Sequence, residues 1–127
     1  MENEKSALGL DGNITALLGY IIPLVGLILI FIEKENRFVR FHAFQTVLYA
    51  VGFIVIYIAS FILIGVVSAV LAAISDVLAL VSILFWFIPL VLWLGWLVGL
   101  IYAAVKSYGG AMFKFPVIGN LAEKWSS

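Results

Sequence analysis

The chain has no cysteine. That excludes disulfides, thiolate nucleophiles and cysteine-held metals. It has one histidine, three prolines and little charge: seven Lys and Arg balance seven Asp and Glu, together 11% of 127 residues. A net charge of zero gives no basic field for nucleic acid. From Ala43 to Val105 the only charged residue is Asp76. What fills the space is apolar, with 65% hydrophobic residues and a mean hydropathy of +1.24. A soluble domain is about 45–50% apolar and about 25% charged. The composition therefore describes an integral membrane protein of one domain. The tail MENEKSALGLDGN sets Glu2, Glu4 and Asp11 against Lys5. It has neither the basic start nor the cleavage site of a signal peptide, so the first apolar block is expected to remain in the mature chain.

The first apolar run, Ile14 to Ile32, is 19 residues without a charge. About 20 residues cross a bilayer, so it is expected to be one spanning helix despite Pro23. Asn13 suits its N-cap. Thr15, Gly19 and Gly26 fall on one narrow face that suits close packing. Ser75-Asp76 is the best break in the apolar stretch that follows, giving a second helix over about 41–70 and a third over about 80–106. The residues between them read as a turn or a short interfacial helix. Gly109-Gly110 should end the third helix. Val117, Ile118, Leu121 and Trp125 recur at helical spacing beside Lys124, predicting a short interfacial C-terminal helix. The expected fold is all-α: a polar tail over 1–13, a three-helix transmembrane domain over 14–106 and an interfacial tail over 107–127. Cytoplasmic loops are enriched in Lys and Arg. Lys34, Arg37 and Arg40 therefore put the first loop inside. Three spans in the cell membrane then put the N-terminus outside and the C-terminal lysines, 106, 114 and 124, in the cytoplasm.

The stretch FIEKENRFVRFHAFQ, residues 31–45, is the one segment dense in charge. Its plain role is to set topology. It is richer than topology requires, because Phe38, Phe41 and Phe44 recur every three residues beneath the cations. Lys34, Arg37, Arg40, His42 and Gln45 form a candidate docking or lipid-headgroup site, with the arginines able to clamp a phosphate or a carboxylate. At 100° per residue His42, Gln45, Thr46, Tyr49, Tyr57 and Ser60 share one direction and make a polar stripe on the second helix. Such a stripe serves either inter-helix hydrogen bonding or a hydrated groove. Gly95, Gly99 and Ala103 place a small residue at every fourth position of the third helix, a packing face within the chain or between two copies.

Enzyme chemistry has little to stand on. Asp11 and Asp76 are the only aspartates, and no phosphate loop, zinc signature or nucleophile elbow is present. The reading is a non-catalytic protein without cofactor or metal. Its partners would be membrane lipids and another membrane protein or a second copy. It would act as a docking or assembly factor in membrane or protein-transport processes. The alternative is a pore or pore subunit with the stripe lining a wet path.

Two separated motifs carry a resemblance. Glu33, Lys34, Asn36, Val39, Arg40, Phe41, His42 and Gln45, followed at the other end by Lys114, Pro116, Ile118, Gly119, Leu121 and Ala122, resemble the domain of unknown function 4870 family of small prokaryotic membrane proteins. That family is similar to the Tic-twenty-like proteins, which include a chloroplast protein-import component, and to magnetosome membrane proteins of the MamF kind. The resemblance implies a helical membrane protein in which Arg40, Phe41, His42 and Gln45 are a fixed feature.

Overall fold

A computed structural model describes residues 4–127; residues 1–3 of the expected polar tail, Glu2 among them, lie outside the described residues. In chain order the helices are α1 (Gly12–Ile21), α2 (Pro23–Ile32), α3 (Arg37–Ile74), α4 (Asp76–Ser82), α5 (Phe87–Tyr108) and α6 (Ile118–Ser126), with a 3-10 turn at Ile83–Trp86 between α4 and α5. The all-helical expectation holds for the described residues, and no strand is formed among them. Two stretches are long and apolar enough to cross a membrane, Arg37–Ile74 and Asp76–Tyr108.

The expected single helix over the first apolar run is corrected. The apolar run 14–32 is two helices of 10 residues each, separated by Ile22 in an extended conformation (φ −121°, ψ 91°). Pro23 explains the break: its ring disfavours a helical residue before it, while its own fixed φ suits the first position of a new helix. The two halves then fold back on each other. Gly19 and Gly26 meet at this crossing, and a Cβ on Gly26 would collide with the Thr46 side chain. Each helix is about 15 Å long, half of a hydrocarbon core of about 30 Å. The start of α1 consequently returns to the end of α2. The Ala7 backbone amide donates to Glu33 Oε2 at 2.6 Å, and Asn36 Nδ2 donates to the Glu4 carbonyl at 3.2 Å. The N-terminal tail and the charged loop are thereby tied to each other. Asn13 does not cap α1; Asp11 holds that position, and the Asn13 amide donates to the Tyr108 carbonyl at 3.0 Å.

The chain forms two compact units. One comprises the chain up to Val51 together with Gly99–Ser127. Its apolar core is Ala16, Leu29, Phe38, Val39 and Ala43. The other is Gly52–Val98. There Ser75 caps α4 by accepting from the Leu78 amide at 3.1 Å, so the expected break at Ser75-Asp76 is present. Phe53 stacks on Trp96 at 5.1 Å between ring centroids, and Phe61 meets Trp86 at 5.7 Å. Most of this unit's large side chains face outward, Ile62, Leu63, Leu84 and Val91 each above 60% exposed.

α5 ends where the glycine pair stands. Gly110 takes φ 87°, and the Ala111 amide reaches back to the Lys106 carbonyl at 3.1 Å. This left-handed closure frees the chain to run extended from Ala111.

Candidate functional site

The charged loop and the first turns of α3 hold the only dense polar network among the described residues. Glu33 is 3% exposed. Its carboxylate accepts from the amides of Ala7 and, at 3.1 Å, Asn36, which ties the N-terminal tail and the start of α3 to one side chain. The Asn36 side chain accepts from the Val39 amide at 3.3 Å, closing the first turn of α3 as an N-cap.

Arg40 is half-buried. Its Nη1 donates to the Glu33 carbonyl at 2.8 Å and its Nε to the Ser126 carbonyl at 3.1 Å, at the C-terminal end of α6. The guanidinium also lies over the Phe44 ring at 5.7 Å. A cation at a helix C-terminus is favourable both as donor and as counter-charge.

His42 and Gln45 lie one helical turn further on, 1% and 0% exposed. His42 Nε2 is 3.1 Å from the Ala111 carbonyl, which can only accept, so Nε2 carries the proton. Nδ1 therefore accepts, and its partner is the Tyr20 hydroxyl at 2.6 Å. Tyr20 in turn accepts from the Gln45 amide at 2.7 Å. The same Gln45 nitrogen donates to the Phe113 carbonyl at 2.8 Å, and Gln45 Oε1 accepts from the Phe115 amide at 3.0 Å. Every proton in this chain of bonds has one direction, and the neutral imidazole satisfies it. Phe38, Phe41 and Tyr20 pack edge-on around the His42 ring at 4.6–5.3 Å.

The result is a clamp on the main chain of the tail at positions 111, 113 and 115. Tyr49 extends it by stacking on Phe115 at 4.2 Å with the rings parallel within 1°. Gly119 lets α6 lie on this extended segment, because a Cβ there would collide with Lys114 and press on Gln45 Oε1. Val117 sits at φ 65°, and the Ile118 amide bonds the Pro116 carbonyl at 2.7 Å. That tight turn is strained for a β-branched residue and persists because both sides of it are held. Lys114 pairs with Glu123 across it. The bond and charge of Lys114, with Arg37 further off, hold the Glu123 carboxyl below its ordinary range.

The expected docking set is thus divided. Lys34 and Arg37 are exposed, Arg40 is half-buried, and His42 and Gln45 are interior. The stripe divides too. Thr46 is buried with Oγ1 unbonded, Tyr49 packs on the tail, Tyr57 lies among Phe53 and Phe61, and Ser60 bonds the Tyr57 carbonyl of its own helix at 2.7 Å. Of the small-residue face, Gly99 receives the Tyr49 ring and Ala103 is fully buried, whereas Gly95 has no neighbour within 4 Å of a built Cβ. In α6 the interior residues are Gly119, Ala122 and Ser126; Leu121 and Trp125 are exposed, as is Val117 just before the helix, and Ile118 is half-buried. Sequence reasoning gave no role to Tyr20, and none to the carboxylate of Glu33 beyond balancing charge. The spacing of the tail motif carried the signal for the clamp, since Lys114 lies within the segment that Gln45 holds and Pro116 and Gly119 follow it.

Two helices long and apolar enough to cross a membrane, with a buried polar clamp that closes the tail onto the first of them, describe a small helical membrane protein. Glu33, Arg40, His42 and Gln45 in it hold main-chain atoms. The chain belongs to the family described as the magnetosome magnetite crystal formation protein family, MamF_MmsF, which matches residues 6–122. Of the groups that the two motifs resemble, this is the one the match shows. Two UPF0132 membrane proteins of Methanocaldococcus jannaschii are similar to it. One is 33% identical over 122 residues, covering 94% of this chain and 73% of the relative. The other is 32% identical over 129 residues, covering 96% and 94%. A UPF0132 membrane protein of Archaeoglobus fulgidus is 36% identical over 115 residues, covering 88% and 92%. No solved structure matches the chain.

Proposed function

We propose that the protein is a non-catalytic docking or assembly factor that works through a basic face on the cytosolic side of its membrane. One observation carries this reading. All seven Lys and Arg residues lie in the N-terminal tail (Lys5), the loop and start of α3 (Lys34, Arg37, Arg40), the end of α5 (Lys106) and the C-terminal segment (Lys114, Lys124). The bonds Ala7–Glu33, Asn13–Tyr108 and Arg40–Ser126 tie those segments together. The positive-inside rule then favours N- and C-termini both in the cytosol, with two spans. Val117, Leu121 and Trp125 would rest at the headgroup level beside Lys124.

On this face a cleft of about 410 Å³ is lined by Lys34, Glu35, Arg37, Arg40, Ser126 and Ser127. Its three cations suit a phosphate or carboxylate, and the exposed Arg37 is the one placed to offer two parallel bonds. His42 serves here by holding the tail that forms one wall of the cleft. The family description names magnetite crystal formation, and an assembly role at a membrane is in keeping with it. A pore along the polar stripe draws less support, because His42, Gln45 and Ser60 are occupied by internal bonds.

The test is Lys34→Gln with Arg37→Gln, measured as cross-linked partner and co-purified anionic lipid recovered from native membranes. Recovery of at least one of the two should fall severalfold while the tail keeps its protection from protease. Unchanged recovery of both would remove the face from consideration.

A further inference from the structure

We infer that the α1–α2 hairpin is a single-leaflet wedge, and that the protein concentrates where the leaflet facing its charged loop is convex. The inference goes beyond docking and depends on none of the cations.

The hairpin contains no charged residue from Gly12 to Ile32. Its outward side is a lipid-facing surface: Ile21 is 58%, Leu24 64%, Ile28 47% and Phe31 69% exposed. It nevertheless cannot cross. Two helices of about 15 Å, joined at one residue, descend and return within half the thickness of a bilayer. Both ends are fastened at the polar loop, by the Ala7–Glu33 and Glu4–Asn36 bonds. The depth is marked against α3 as well. The Tyr20 hydroxyl near the tip meets His42, and Gly26 sits under Thr46. Thr46 is nine residues into α3, or roughly 14 Å along its axis. The tip residue, Ile22, is 47% exposed and has nothing polar to offer a second surface.

Lipid acyl chains are the occupant this surface fits, and they belong to one leaflet only. Two helices of about 10 Å diameter add on the order of 150 Å² to that leaflet. The spanning helices add area to both. An inclusion that expands one leaflet lowers its energy where that leaflet is already stretched, which is why shallow apolar insertions respond to curvature. The hairpin here is covalently and laterally fixed to α3, so its area cannot be withdrawn.

The chain's lack of cysteine makes the test direct. Full-length protein carrying Ser127→Cys is reconstituted in giant vesicles of zwitterionic phosphatidylcholine, so that headgroup charge plays no part. An impermeant fluorophore marks only the molecules whose C-terminal face is outward, and membrane tubes are then pulled. Density on the tube should exceed that on the parent vesicle severalfold and grow as the tube narrows. Equal density at all radii would overturn the inference. A second protein with Ile22→Cys, spin-labelled, reports depth: a label near the bilayer centre is expected, and one at the far headgroups overturns the wedge. Leu8→Cys reached by reagent only from the side opposite Ser127→Cys would overturn it equally.

Discussion

The two compact units use the same kind of apolar sequence for opposite ends. In the first, with the N-terminal segments and the tail, side chains such as Tyr20, Phe38, Phe41, His42 and Gln45 are less than 2% exposed. In the second, Gly52–Val98, the only buried apolar residues are Ile64, at 5%, and Pro89. Hydrophobicity alone does not predict burial when the solvent is lipid, since acyl chains are as apolar as leucine. What packs the first unit is directional bonding. Glu33, Asn36, Arg40, His42 and Gln45 each grip main-chain atoms, and a group that has lost water must keep such a partner. The second unit has few such groups, and Ser60 and Ser82 bond carbonyls three residues back in their own chain.

The hardest blow to this contrast is Gln45→Leu. It leaves the Phe113 carbonyl and the Phe115 amide unbonded and removes a donor to Tyr20. Each abandoned buried group costs about 1–3 kcal/mol. The tail should detach from α3, seen as protease cleavage within 111–117 and a lower melting temperature in detergent. A protected tail in this variant would mean that packing, not bonding, organises the first unit.

A paired glycine experiment sharpens the comparison. Gly119→Ala drives a methyl group into the Lys114 backbone and should destabilise by about 1–3 kcal/mol. Gly95→Ala enters open space on a helix and should be neutral or stabilise by up to about 1 kcal/mol. Melting curves of the two variants in one detergent decide it; equal shifts would erase the distinction between the units.

The smallest effect is electrostatic. Glu123 is held below its ordinary range by Lys114 in the folded chain. Its contribution is therefore complete above that range and is lost as pH falls below it. Protection of α6 from protease should weaken slightly on acidification, and Glu123→Gln should remove this dependence while leaving protection near neutral pH almost unchanged. A wild-type profile flat through the acid range would show the pair to be without weight, as exposed pairs often are.

Much of the helical plan was legible. Ser75-Asp76 and Gly109-Gly110 break the helices because a side-chain cap and a left-handed residue leave local marks in sequence. The break in the first apolar run was not legible because 19 uncharged residues satisfy the length rule, while the effect of Pro23 depends on what the freed backbone meets. Here it meets Gly26 and Thr46, a tertiary fact. The site was legible as a set of residues and not as a purpose. Periodicity placed His42 and Gln45 on one face. It could not show that their partners are carbonyl and amide groups of Ala111, Phe113 and Phe115, about 70 residues on, because main-chain atoms carry no letter in a sequence.

Gln45 behaves as a one-residue strand edge, and with His42 it recognises spacing rather than identity. The exposed side chains of Ala111 and Met112 are free to drift as long as alternate peptide units arrive in step, while Lys114 and Phe115 are also held by Glu123 and Tyr49. Inserting a single residue there would put the whole segment out of phase and turn Phe113 and Phe115 to the wrong side. Length, more than composition, is the property of the tail that the protein has to inherit.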